Sequence, residues 1–203
     1  MLSKKHNSLK NNNLLKTIQL ENSKLVNQIE RVLHLSKVEN GEYHLQKESL
    51  NLKSLLNGVE EEMKMQIEAK NGTFNFEKTN ENLTVFGDKL HLSTVFKNLL
   101  DNALKYSEEK PKIDISANQN GKGVHIKFRD NGIGIPNCDE KKVFEKFQRI
   151  PGKIGSENVQ NCRGFGLGLS YVKMMIELHK GTVKVSSDGH SGTQFDIVLP
   201  KNG

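Results

Sequence analysis

Apolar residues recur along this chain with two periods, one near 3.6 and one of about 2, and polar breaks separate them. Residues 1–13 are polar and asparagine-rich, which predicts a frayed end. Ile18, Leu25 and Val32 then return at heptad spacing with Leu15 and Ile29 beside them, which predicts one long helix from about Leu14 to Val38. Such a stripe wants a partner helix, a second copy of itself or another neighbour, unless the helix packs back on its own domain. Glu39-Asn40-Gly41-Glu42 stops it. His44–Leu52 alternates loosely and predicts a strand. Leu52–Lys70 is helical, with Leu55, Leu56, Val59, Met63 and Ile67 at helical spacing and Asn71-Gly72 as the stop. Two short strands follow, Thr73–Glu77 and Leu83–Phe86, and Asp88 is placed to cap a central helix running to about Ser107. Pro111–Ala117 and Val124–Phe128 alternate on either side of an Asn120-Gly121 hairpin turn. A last helix ends near His179, and Thr182–Ser186 with Gln194–Leu199 predict a closing hairpin. The interleaving predicts an α+β domain whose helices cover one face of a mostly antiparallel sheet.

Composition narrows the picture a little. The chain has 203 residues, 34% hydrophobic and 27% charged, with a net charge of +6. That suits one sizeable core with an appendage and permits an anionic ligand. No dense Lys/Arg tract with interleaved aromatics argues for nucleic acid. Cys138 and Cys162 lie far apart, outside any metal-ligand spacing, which predicts ordinary thiols in a reduced compartment. No apolar run approaches the ~20 residues of a membrane span.

Three stretches carry candidate chemistry. On a helical wheel, Leu92, Phe96, Leu99 and Ala103 share one side of the central helix and Asn98, Asn102 and Lys105 another. Two amides and an ammonium facing one space would suit Mg²⁺ and phosphate, and would equally suit a solvated face. In the second stretch, Asp130 points the same way as Val124, Ile126 and Phe128 if the strand alternation continues. An inward carboxylate needs a polar partner. With Gly132 and Gly134 allowing close approach of a flat ligand, the exocyclic amine of adenine is one candidate, and a simple turn cap is the other. In the third, Gly164, Gly166 and Gly168 alternate just before a helix start, where backbone N–H groups cradle phosphate. Between the second and third lies an amphipathic turn, Val143–Arg149, and a Gly/Asn/Ser/Lys-rich segment, 150–163, positioned as a lid.

In order, these are an Asn-x-x-x-Asn helix, Asp-x-Gly-x-Gly, Phe-x-x-Phe and Gly-x-Gly-x-Gly. That order resembles the ATP-binding catalytic domain of bacterial sensor histidine kinases, in the wider family shared with gyrase, Hsp90 and MutL, over roughly residues 45–200. The resemblance implies a two-layer α/β sandwich of the Bergerat type, with a mixed, largely antiparallel sheet of about five strands faced by three helices and preceded by one long helix. It implies ATP and Mg²⁺ as ligands, with Asn102 on the metal. Asn98 stands where gyrase-like ATPases carry a water-activating Glu, which favours phosphoryl transfer over hydrolysis. Lys105 would approach phosphate and Tyr106 the base. Asp130 would accept the adenine amine in a pocket shaped by Gly132, Gly134 and Ile135. Phe144 and Phe147 would anchor the lid, with Arg149 near the γ-phosphate. Gly164, Phe165, Gly166, Leu167, Gly168 and Leu169 would form the phosphate side, Phe165 standing where many members have Thr.

By the same resemblance, residues 1–42 look like the second helix of the dimerisation and histidine-phosphotransfer hairpin, and 43–203 like the catalytic domain. Its first helix, with the acceptor His, is absent. His6 lacks the expected following Pro and is not expected to be the acceptor, so self-phosphorylation is not expected. His34, His44, His91, His125, His179 and His190 are expected to be structural or solvated. Expected partners are a histidine-phosphotransfer domain, a response-regulator receiver domain and, in a full-length protein, a second copy. No nucleic acid or membrane contact is expected for this stretch, which would be cytoplasmic within a protein anchored in the inner membrane. An anti-sigma-type serine kinase and a non-catalytic interaction module of the same fold are the competing readings.

Overall fold

The computed structural model describes residues 43–77, 83–121, 123–136, 140–148 and 166–201, together with Leu15, Ile18, Asn22, Val26, Ile29, Leu33, Val38 and Asn40. The chain divides into two units, Met1–His44 and Leu45–Gly203. In the first, the described positions from Leu15 to Val38 are helical, as the heptad pattern predicts, and Leu15, Ile18, Val26, Ile29 and Leu33 are exposed.

The second unit is a two-layer sandwich. Its elements are β1 (Glu48–Asn51), α1 (Leu52–Ala69), β2 (Thr73–Phe76), β3 (Thr84–Gly87), α2 (Lys89–Lys105), β4 (Lys112–Asn120), β5 (Gly123–Asp130), α3 (Glu140–Val143), α4 (Gly168–Leu178), β6 (Thr182–Ser186) and β7 (Gln194–Leu199). Five strands make one sheet in the order β2-β4-β5-β7-β6, antiparallel except for the parallel β2–β4 pair. β1 departs from the sequence reading: only Glu48–Asn51 is strand, and it leaves the main sheet to pair antiparallel with β3.

The period-2 strands place Ile113 and Ile115, Val124, Ile126 and Phe128, and Phe195, Ile197 and Leu199 in the core. Leu55, Leu56, Val59, Met63 and Ile67 of α1 are buried, as their spacing requires. From α2 come Leu92, Val95, Phe96, Leu99 and Ala103, and from α4 Val172, Met175 and Ile176. Lys127, Arg129 and Lys184 of the strands are exposed, so the sheet has one apolar and one wet face.

α2 and α4 run antiparallel. His91 Nδ1 lies 2.8 Å from the Tyr171 hydroxyl, and at one end of the pair the Asp88 N–H donates to His179 Nε2 (2.9 Å). Asp88 is the predicted cap: Oδ1 accepts from the N–H of Leu90 and His91 at 3.0 and 3.2 Å, and Oδ2 from Gln46 at 2.9 Å. His179 is fully buried and donates from Nδ1 to the Met175 carbonyl at 2.7 Å. One ring nitrogen must donate and the other accept, so the imidazole is neutral, and burial lowers its pKa below the ordinary value.

Candidate functional site

Burial divides the polar face of α2. Asn98 is only 4% exposed, and its Nδ2 has no hydrogen-bond partner among the described residues. A buried polar group left this way costs about 1–3 kcal/mol. A Cβ at Gly168 would lie 3.5 Å from Asn98 Oδ1, so this amide neighbours the first residue of α4. Asn102 and Lys105 are half-buried. Lys105 is drawn to Asp101 on its own helix, an i, i+4 pair. Tyr106 ends the helix: its N–H donates to the Asn102 carbonyl, and its own carbonyl accepts from the Ile133 N–H at 3.0 Å.

That last bond ties α2 to the loop after β5. Asp130 follows the strand alternation inward, as predicted, and is buried. Its Oδ1 accepts from the N–H of Gly132 (2.8 Å) and of Thr193 (3.2 Å), while Oδ2 has no hydrogen-bond partner among the described residues. Burial raises its pKa above the usual carboxylate value, against the pull of those two N–H bonds. Gly132 is confined, since a Cβ there would lie 2.9 Å from both Asp130 Oδ1 and the Tyr106 carbonyl. Ile135 donates its N–H to Ser187 Oγ.

The phosphate-side stretch meets the same helix. α4 opens at Gly168 after Leu167, and no side chain caps it, so its N-terminal N–H groups keep their donor capacity and partial positive charge. Leu167 is buried and Leu169 half-buried. Gly166 has φ 71°, and its carbonyl accepts from the Phe147 N–H at 3.0 Å. Phe144 is buried, with Lys173 Nζ 5.9 Å from its ring centroid. Phe147 has φ 61° and a ring 66% exposed, and its N–H holds the Gly166 carbonyl.

One contributor escaped the sequence reading. The β6–β7 turn, seen only as part of a closing hairpin, supplies Thr193 and the close-packed Gly189 and Gly192 beneath Asp130 and Pro136. Gly189 and Gly192 signal a tight turn in the sequence, and only the strand order places that turn by Asp130. Arg149, Gly164 and Phe165 of the expected site lie outside the described residues, as do the lid at 150–163, His6, Cys138 and Cys162.

Residues 87–203, which hold all of these groups, match the family described as histidine kinase-, DNA gyrase B- and HSP90-like ATPases. The chain belongs to this family. It is 39% identical over 187 residues to the sensor protein RprX of Bacteroides fragilis, covering 89% of this chain and 34% of that protein. To the alginate biosynthesis sensor protein KinB of Pseudomonas aeruginosa it is 33% identical over 187 residues, covering 92% and 30%. It thus spans about a third of the length of these curated relatives. Among solved structures, the Acinetobacter baumannii histidine kinase AdeS is similar with a TM-score of 0.76 and 25% identity, over 94% of this chain and 85% of that one. Histidine kinase ThkA in complex with response regulator protein TrrA is similar with a TM-score of 0.65 and 25% identity, over 87% and 49%.

The histidine kinase-like ATPase domain is an ATP-binding domain, and the groups on this site fit a nucleotide. Among the described residues, a buried amide nitrogen and a carboxylate oxygen without partners and a helix start without a side-chain cap offer donors and acceptors to a ligand. Among the described residues no cluster of His, Cys, Asp and Glu could hold a metal on its own. A hard cation here would therefore need oxygens from the ligand. No described helix is long and apolar enough to cross a membrane.

Proposed function

We propose that this chain is the ATP-binding catalytic part of a two-component sensor histidine kinase, with residues 1–42 as one helix of the dimerisation hairpin. The observation that carries the reading is Asp130: a buried carboxylate with one oxygen held by two backbone N–H groups and the other without a hydrogen-bond partner among the described residues. That oxygen accepts the exocyclic amine of adenine, and Gly132, Gly134 and Ile135 let the flat base lie against backbone. Tyr106 flanks the base from the end of α2.

The phosphates run toward the start of α4. Gly168 leaves the backbone open to them, and the helix N-terminus favours their charge; Gly164, Phe165, Gly166, Leu167 and Leu169 are assigned to the same phosphate side by the family pattern. Asn98 donates its orphaned Nδ2–H there. Lys105 exchanges Asp101 for a phosphate oxygen, since a half-exposed ion pair is worth little. Phe147 holds the hinge backbone, and Arg149 meets the γ-phosphate. Asn102 would hold Mg²⁺ by its amide oxygen, and the ion would supply neutralisation of phosphoryl charge. An amide at Asn98 cannot take a proton from water at neutral pH, so the site favours transfer to a supplied nucleophile over hydrolysis. That nucleophile is a histidine of a dimerisation domain, and an aspartate of a receiver domain follows. In the whole protein the catalytic part works as a dimer on the cytoplasmic side of the inner membrane.

The test is incubation with γ-labelled ATP and Mg²⁺, with and without a separately supplied histidine-bearing dimerisation domain. Acid-labile, alkali-stable label on that domain and none on this chain is the expected result. Acid-stable label on a serine substrate, or label on His6, would contradict it.

A further inference from the structure

Ser187, at the end of β6, uses every bond a hydroxyl can make. Its Oγ donates to the Gly192 carbonyl at 2.7 Å and accepts from the N–H of Ile135 at 2.9 Å and of Gly189 at 3.2 Å. These partners belong to two segments, the loop that follows Asp130 and the β6–β7 turn. The packing between them leaves no slack. Gly134 has φ 71°, and a Cβ there would lie 2.9 Å from Ser187 Oγ. A Cβ at Gly192 would lie 2.0 Å from the Asp130 carbonyl. The next residue, Thr193, grips Asp130 twice: its N–H donates to Oδ1, and its carbonyl accepts the Asp130 N–H at 2.9 Å. Ser187 therefore fixes the turn that fixes the direction of the Asp130 carboxylate.

We infer that Ser187 is a positioning residue that sets base selectivity: by locking the β6–β7 turn, it holds Asp130 Oδ1 on Thr193 and aims Oδ2 at the purine 6-position. The inference rests on the reading that Asp130 meets the adenine amine. Ser187 itself touches neither base nor phosphate. A carboxylate free to swing would still leave a pocket for the ring and the phosphates, and would lose only the distinction carried by the amine. The expected signature is thus confined to one atom of the ligand.

The experiment compares calorimetric titrations of ATP and of purine riboside triphosphate, which lacks the 6-amine, into the parent, Ser187→Ala, Asp130→Asn and the double variant. Ser187→Ala should lose about tenfold in ATP affinity, the scale of one unmade hydrogen bond. Its affinity for the deamino nucleotide should hold within about twofold, and it should have no further effect on ATP binding in the Asp130→Asn background. Equal losses for both nucleotides, or additive losses in the double variant, would overturn the inference. Should Ser187→Ala bind neither nucleotide, Ser187→Thr decides: parental selectivity supports the hydroxyl's role, and lost selectivity overturns it. A parent that binds both nucleotides equally would instead overturn the reading of Asp130.

Discussion

At one end of the α2–α4 pair, the polar groups answer one another. Asp88 caps α2 with Oδ1 and binds Gln46 with Oδ2, its N–H meets His179, and His91 meets Tyr171. Further along the same helices, Asn98 is as well buried, yet among the described residues its amide nitrogen has no partner and the start of α4 has no side-chain cap. Asp130, beyond the end of α2, likewise keeps one oxygen without a partner among the described residues. The difference teaches how to tell two kinds of buried polar cluster apart. A closed cluster is worth its hydrogen bonds to the fold; an open one costs the fold and returns that cost when a ligand arrives.

Substitutions at the two ends should therefore separate stability from binding. The largest expected effect is on the open side. Asp130→Asn should lower ATP affinity on the order of a hundredfold, the scale of a hydrogen bond to a charged group. Its melting temperature should hold or rise. Burial raises the carboxyl pKa from 3.8, so the folded state binds the proton more readily, and folded stability is lost as pH rises through that window. An amide escapes that loss while still offering an oxygen to Gly132 and Thr193.

His179→Gln, on the closed side, should do the converse: about 2 kcal/mol less stable by denaturant unfolding, with ATP affinity kept. It should also flatten the acid dependence. The folded pKa of His179 lies below 6.5, so the unfolded chain takes up the proton first, and parental stability falls as pH drops below that value. Parallel melting curves across pH 7.5 to about 5 for parent and variant would remove His179 from the account.

A smaller effect sharpens the contrast within one helix. Asn98→Leu replaces an orphaned amide with an apolar group of similar size, and should raise the stability of the ligand-free chain by about 1 kcal/mol while weakening ATP binding. Destabilisation with unchanged affinity would move Asn98 to the closed class. The smallest effect is Gly168→Ala. Its Cβ would meet Asn98 Oδ1 at an ordinary 3.5 Å, so stability should shift by less than about 0.5 kcal/mol, while ATP affinity falls because the methyl stands on the phosphate side. Unchanged affinity would mean that the phosphates do not approach the backbone at Gly168.

Much of this was legible in the sequence because it depends on local period. The α2 stripe, the Asp88 cap, the inward turn of Asp130 and the glycine pair before α4 all follow from side chains a few residues apart. What was not legible depends on contacts distant in sequence. Nothing in the spacing brings Asn98 against Gly168, or lays Ser187 and Thr193 under Asp130, because strand order alone puts the β7 end beside the β5 end. The same holds for β1, whose alternation cannot say that its partner is β3. Lys105 is a different case. Its Asp101 partner stood at helical spacing in plain view, and the stronger pull of a supposed phosphate hid it.

The measurement that tests the account most directly is calorimetric titration of a non-hydrolysable ATP analogue into the parent chain, with and without Mg²⁺. The account predicts saturable binding that Mg²⁺ strengthens. A chain that melts cooperatively yet takes up no analogue would contradict it, because the orphaned groups around Asn98 and Asp130 would then have no ligand to meet.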